Sequence, residues 1–256
     1  MINFIIPVKH TGLIQNKKKH KEYLAQLIKS IVSQEPKIAK VWLVCPSDYE
    51  IGVGIENYNI DVIRLDRDMP NQDYAANNIK KYFQQFRIDK GSKIYEVYKK
   101  LDTNDWIIPL DDDDIIRNDY INTIKSIHDS FFVIKKGYKW YPESRCLIKL
   151  DKFDSYCGTS IGFKKSVIKK YETYDDFIEI LGSHNLLKKY ERKYIEINKR
   201  LVLWRLENLN SSQELLNAKK NMFGKIKFFV RECLSYFGNK RIRNKKYEKI
   251  ISEFQS

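Results

Sequence analysis

Along the first half of the chain, short unbroken apolar runs alternate with stretches in which apolar residues return at a helical period. Phe4-Ile5-Ile6-Pro7-Val8 is such a run, as expected of a strand buried on both faces. Leu24, Leu27, Ile28 and Ile31 stand at i, i+3, i+4 and i+7 and predict an amphipathic helix. Val41-Trp42-Leu43-Val44, closed by Pro46-Ser47-Asp48, predicts a second strand, and Asp61-Val62-Ile63-Arg64-Leu65 a third. Two helical stretches come next, one carrying Ala75, Ile79, Tyr82, Phe83 and Phe86, the other Ile94, Val97, Tyr98 and Leu101. The strand Trp106-Ile107-Ile108-Pro109-Leu110 then runs straight into Asp111-Asp112-Asp113-Asp114. This βαβ alternation predicts an α/β fold with a mostly parallel central sheet and flanking helices. Ligands of such sheets bind at the carboxyl ends of the strands, where the aspartates fall.

The second half is less regular, with strands expected over 131–135, 145–150 and 201–205 and a helix over 174–189. From residue 217 the composition changes: eleven Lys and Arg stand against three Glu, more than half of the chain's net charge of +14. Met222, Ile226, Phe229, Val230, Cys233 and Phe237 share one helical face there, which predicts a basic amphipathic helical tail suited to an anionic membrane surface. The expected organisation is one domain over 1–216, with halves at about 1–115 and about 116–216, followed by the tail over 217–256. The length of 256 residues and a 43% hydrophobic content fit one packed domain with an appendage. No apolar run approaches the ~20 residues that span a bilayer. Met1-Ile2-Asn3-Phe4 has no basic region ahead of its apolar segment, so no secretory signal is expected. The four cysteines and four histidines show no zinc spacing, and the thiols are expected to be reduced and buried in a cytoplasmic protein.

Four consecutive carboxylates at a strand end repel one another and call for a counter-cation. Mg²⁺ and Mn²⁺ take oxygen ligands and share them with substrate phosphates, so a divalent ion held by carboxylates is the expected remedy.

Four segments together resemble the nucleotide-sugar glycosyltransferases of GT-A fold, especially the family 2-like bacterial enzymes of surface-polysaccharide assembly. They are Phe4-Ile5-Ile6-Pro7-Val8-Lys9, Pro70-Asn71-Gln72-Asp73-Tyr74-Ala75-Ala76-Asn77-Asn78, Ile107-Ile108-Pro109-Leu110-Asp111-Asp112-Asp113-Asp114, and Cys157-Gly158-Thr159-Ser160-Ile161-Gly162-Phe163. The resemblance covers roughly 2–210 and rests most on the Asp-x-Asp segment. It implies a GT-A, Rossmann-like fold and a UDP-hexose donor. It further implies donor contacts at Pro7, Lys9, Asn77, Asp111 and Asp112, with Asp48 and Asp66 at the uracil or ribose. Asp113 and Asp111 would hold the metal, His184 would complete its shell, and Arg205 would close on the diphosphate. The usual acidic pair carrying the general base has no plain match; Asp175 and Asp176, with Glu179, are the nearest substitutes. The acceptor implied is a saccharide or lipid-linked saccharide of capsule or lipopolysaccharide, with the enzyme peripheral at the inner face of the cytoplasmic membrane.

Two other functions fit parts of the sequence. A haloacid dehalogenase-like phosphatase would use Asp111 as nucleophile and Asp113 as acid/base, but its motif belongs on a first strand, and at least three strands precede this one. A basic nucleic-acid-binding protein fits the charge, but no nucleic-acid motif is present and the aspartates oppose phosphate, so no nucleic-acid partner is expected.

Overall fold

The computed structural model of the chain describes residues 1–14, 16–35, 37–52, 60–68, 70, 74, 78–168, 174–191, 193–205, 241–242 and 245–255. Four parallel strands form the heart of the larger sheet: β1 (Ile2–Pro7), β2 (Ala39–Cys45), β3 (Ile60–Arg64) and β4 (Trp106–Pro109). The chain then leaves this sheet for the short β5 (Ile115–Ile116), passes through α3 (Tyr120–Lys125) and returns with β6 (Phe131–Ile134), β9 (Ile161–Lys164) and β10 (Ile195–Ile197). The seven lie in the order β10-β6-β9-β4-β1-β2-β3, with β9 antiparallel to both neighbours. A second sheet orders β12 (Arg241–Ile242), β8 (Cys146–Leu150), β7 (Gly137–Tyr141), β11 (Val202–Arg205) and β5.

Apart from Asn3, whose buried side chain accepts from Trp42 Nε1 and donates to Trp106 O, β1 is apolar, and the alternation of its faces explains why. Phe4 and Ile6 pack with Leu24, Leu27, Ile28 and Ile31 of α1 (Lys17–Val32). Ile5 points to the other face and packs with Ile94 and Val97 of α2 (Ile79–Tyr98). A strand covered by a helix on each side has no position left for a polar residue facing water.

The two helical stretches expected between β3 and β4 meet in one helix, α2, which runs through Gly91-Ser92 without a break. Gly91 serves packing instead: a Cβ there would lie 1.8 Å from the Ile178 carbonyl oxygen, and one on Gly182 would lie 1.8 Å from that of Arg87. Each glycine thus lets α2 touch the backbone of α4 (Tyr174–Leu181) and the turn after it. The single helix expected over 174–189 is broken at that turn into α4 and α5 (His184–Tyr190), and Ser183 caps α5 by accepting from Leu186 N at 3.3 Å.

The halves expected on either side of residue 115 share the large sheet, because β6, β9 and β10 extend it beyond β4. The C-terminal extension ends as part of the domain. β12 pairs with β8, and α6 (Lys245–Gln255) buries Tyr247, Ile250, Ile251 and Phe254 against Ile115, Trp140, Leu147 and Leu203. The amphipathic face expected from Met222 to Phe237 lies outside the described residues. Among the described residues no helix is long and apolar enough to cross a membrane.

Candidate active site

The parallel strands β1 to β4 all end on one edge, and β4 delivers the aspartates there. Leu110 N still bonds to Ile5 O at 2.9 Å, extending the ladder, and Asp114 N then turns back to Asp111 O at 3.2 Å. One tight turn therefore sends four carboxylates in different directions.

Asp112 turns inward and is 1% exposed. It accepts from Lys9 N at 2.9 Å and from Lys9 Nζ at 3.1 Å, and its Oδ2 lies 2.9 Å from His20 Nε2 on α1. Burial alone would raise its carboxyl, but the charges of Lys9 and His20 outweigh that and hold it well below the usual carboxylate range. Asp114 turns inward on the opposite side, fully buried, where Thr159 Oγ1 and Cys157 Sγ donate to its Oδ2. Burial, then the charges of Asp113 and Asp111, push it well above the usual carboxylate range.

Asp111 and Asp113 face a cleft of about 480 Å³. Lys90 of α2 donates to Asp111 Oδ1 at 2.5 Å, and Lys9 Nζ reaches Asp113 Oδ2 at 2.9 Å. The counter-cations that the aspartate run calls for are thus partly supplied by the chain itself.

Pro7, Lys9, Asp111, Asp112, Asp113 and His184 all line this cleft. Asp48 and Asp66 sit beyond it on the same sheet edge, Asp48 accepting from Thr11 Oγ1 and Asp66 from Ser47 N and Oγ at 3.0 and 2.7 Å. Asn77 lies outside the described residues. Arg205 is 1% exposed and does not line the cleft. Its guanidinium lies 3.7 Å from the ring centre of Tyr23 and 4.8 Å from that of Trp140, and it donates to Gln26 at 2.7 Å. A phosphate clamp is therefore not its place: it ties α1 to the second sheet, and burial lowers its pKa to about 10. Glu179 is held by Arg87, whose Nε and Nη2 approach at 2.9 and 2.6 Å, and by Gln84 at 3.0 Å. Asp175 and Asp176 occupy the exposed first turn of α4, away from the cleft lining.

Sequence reasoning missed Lys90, Arg87, Phe83 and Phe86 on α2, and Tyr156 and Trp204 on the other wall. The helical spacing of Phe83, Phe86, Arg87 and Lys90 marks one face of α2, but nothing local says that this face meets the aspartates.

The donor set fits a divalent cation. Donor atoms of Asp111, Asp114 and Cys157 lie within 4.8 Å of one another, and the buried Asp114 Oδ1 has no partner among the described residues. Burial and the nearby Asp114 and Asp111 push the Cys157 thiol well up, so its sulfur stays protonated and is a poor ligand for a hard ion. Asp111 and Asp113 offer oxygen donors to the cleft, and Asp113 and His184 both stand outside the converging group.

No family model and no curated protein matches this sequence. Solved structures do. S. aureus TarS, residues 1–349 in complex with UDP, superposes with a TM-score of 0.51 at 13% identity, over 92% of this chain and 71% of that one. A longer S. aureus TarS structure superposes with a TM-score of 0.50 at 12% identity, over 93% of this chain and 44% of that one. The likeness is one of fold, a mostly parallel sheet flanked by helices, and this chain has the GT-A fold, with its own aspartates at the carboxyl edge of the sheet.

Proposed function

We propose that this protein is a metal-dependent glycosyltransferase that moves a hexose from a nucleotide-diphosphate sugar, a UDP-sugar in the first instance, to a saccharide or lipid-linked saccharide acceptor. One observation supports the reading above the others: Asp111 and Asp113 share a cleft with Lys9, Lys90 and Arg87 at the carboxyl edge of a GT-A sheet. Carboxylates beside lysines make a site for a cation and a phosphate together. In this reading Asp111 and Asp113 hold Mn²⁺ or Mg²⁺. When bound, the cation acts as a Lewis acid on the departing diphosphate. Lys9, Lys90 and Arg87 bind the diphosphate oxygens and orient the sugar over Asp111. Direct displacement with inversion is the default course. No role as general base falls to Glu179, which does not line the cleft.

A panel of nucleotide sugars, read by UDP release and by thermal shift with and without Mn²⁺, tests the proposal. UDP at ~100 times its dissociation constant should stabilise the protein by ~2.7 kcal/mol. Absence of a shift and of hydrolysis across the panel would sink the reading.

The cellular setting we propose is capsule or lipopolysaccharide assembly at the inner face of the cytoplasmic membrane, with the basic tail on anionic lipid. Because α6 belongs to the core, the tail is tested by charge rather than by deletion. Replacing Lys219, Lys220, Lys225 and Lys227 with Gln should weaken binding to phosphatidylglycerol vesicles by at least ~10-fold and spare turnover on a soluble acceptor. Unchanged vesicle binding would remove the membrane role.

A further inference from the structure

Both carboxylates proposed to hold the metal already carry an ammonium of the chain. Lys9 Nζ lies 2.9 Å from Asp113 Oδ2, and Lys90 Nζ donates to Asp111 Oδ1 at 2.5 Å. Lys9, Lys90 and Arg87 all line the cleft, but they are not equally tied. Lys9 also holds Asp112 Oδ1 at 3.1 Å, and Arg87 is paired at 2.6 Å with Glu179, which lies outside the cleft lining. Lys90 has Asp111 as its hydrogen-bond partner among the described residues. Parted from Asp111, it would be the one cation of these three left without a carboxylate.

The pair of Lys90 and Asp111 is closely enclosed on one side. A Cβ on Gly158 would lie 2.8 Å from Lys90 Nζ and 2.9 Å from Asp111 Oδ2, so ammonium and carboxylate rest together against bare backbone. Donor atoms of Asp111, Asp114 and Cys157 converge within 4.8 Å of one another, which sets the ammonium at the edge of that group. Burial opposes the charge on Lys90, but the carboxylate of Asp111 outweighs it and holds the ammonium above the usual lysine range. His184 gives it no second counter-charge: burial, then the charge of Lys90, lowers the imidazole to about 4, so the ring is neutral near pH 7. A divalent cation on Asp111 would stand within a few ångströms of this ammonium, where like charges repel. The two cannot share the carboxylate. The lysine stem is flexible and the side chain is partly exposed, so Lys90 can turn toward an anion in the cleft.

We infer that Lys90 is a displaceable stand-in for the metal: it neutralises Asp111 until a divalent cation takes that carboxylate, and its released ammonium then moves to the diphosphate that arrives with the cation. The inference rests on Asp111 being a metal ligand in the glycosyltransferase reading. It makes metal and nucleotide binding depend on each other, since metal alone strands Lys90 and metal with diphosphate does not. The test is calorimetry of Mn²⁺ binding to the full chain, with and without saturating UDP. Without UDP, Lys90→Met should bind Mn²⁺ about 10-fold tighter than wild type, and adding Asp111→Asn should remove that gain. With UDP the order should reverse, because only the wild type has the ammonium to place on the diphosphate. Lys99→Met removes the same charge at the exposed C-terminal cap of α2 and should leave Mn²⁺ affinity within about twofold. If Lys90→Met fails to fold, Lys90→Gln, which keeps a polar head without the charge, decides the matter by the same comparison. Unchanged or weaker Mn²⁺ binding without UDP, or a gain that survives Asp111→Asn, overturns the inference. A gain of equal size with and without UDP also overturns it, because Lys90 would then merely repel the metal. Tighter Mn²⁺ binding by Lys90→Met in a protein that turns over no UDP-sugar upholds the exchange at Asp111 while the glycosyltransferase reading fails.

Discussion

Asp113→Asn should lower transfer from a UDP-sugar by about 10²–10³-fold while changing stability by less than ~1 kcal/mol. The four aspartates are not equivalent, and their surroundings say which one is free for chemistry. Asp112 is used up by Lys9 and His20, and Asp114 is fully buried with its carboxyl pushed well above the usual range. Asp113 keeps 17% of its side chain exposed in the cleft, and it pairs with the ammonium of Lys9, which also has Asp112 to fall back on. Removing its charge therefore strands nothing, which is why stability is expected to hold. What it removes is a hard oxygen donor facing the cleft where, in the proposed reaction, negative charge would build on the leaving group. Mn²⁺ affinity measured by calorimetry should fall with turnover, by at least ~10-fold. Asp176→Asn on the exposed turn of α4 serves as the contrast and should leave turnover within about twofold. If Asp113→Asn turns over like the wild type in a metal-dependent manner, the metal role assigned to Asp113 is wrong.

The parts of this structure that were legible in the sequence are those in which burial leaves a local trace. β1, β2 and β4 are covered on both faces and read as apolar runs, and α1 shows its buried stripe at the helical period. β7 leaves no such trace, since Gly137-Tyr138-Lys139-Trp140-Tyr141 mixes a lysine and aromatics on a strand of the second sheet. β12 has two residues and exists because β8 is beside it. The glycine-serine pair at 91–92 looks like a helix break, yet it is what allows α4 to approach, and that neighbour is almost ninety residues away in sequence. The same holds in the site. Mutual repulsion among four carboxylates indicates that cations must be near, and the sequence carries that much. That Lys9, His20 and Lys90 supply part of the charge follows only from the sheet order, which sets β1 beside β4 and lays α1 and α2 on opposite faces. Glu179 illustrates the converse: an acidic residue near the expected place, but on a helix whose α2 neighbour carries Arg87 to meet it.

Asp112→Ala is expected to destabilise the fold by about 3–5 kcal/mol at pH 7, more than the loss of a surface carboxylate could do. Three groups depend on Asp112, whose own side chain is 1% exposed. The Lys9 backbone N–H and His20 Nε2 each lie 2.9 Å from its Oδ2, and Lys9 Nζ lies 3.1 Å from its Oδ1. These groups come from the end of β1 and from the buried face of α1, so one carboxylate ties the first strand and first helix to the end of β4. Alanine leaves the N–H and the imidazole nitrogen unpaired and Lys9 with Asp113 alone. Asp112→Asn keeps the shape and part of the hydrogen bonding and should cost about 1–3 kcal/mol. The pH dependence has a definite sign. The folded carboxyl is held below its unfolded value of ~3.9, so its contribution is present above that pH and is lost as pH falls below it. Urea unfolding should therefore separate wild type from Asp112→Ala fully at pH 7 and progressively less as the pH drops from about 5 toward 2. A variant within ~1 kcal/mol of wild type at pH 7 would mean that Lys9 and His20 find water or other partners, and that the turn of aspartates is held by the strand alone.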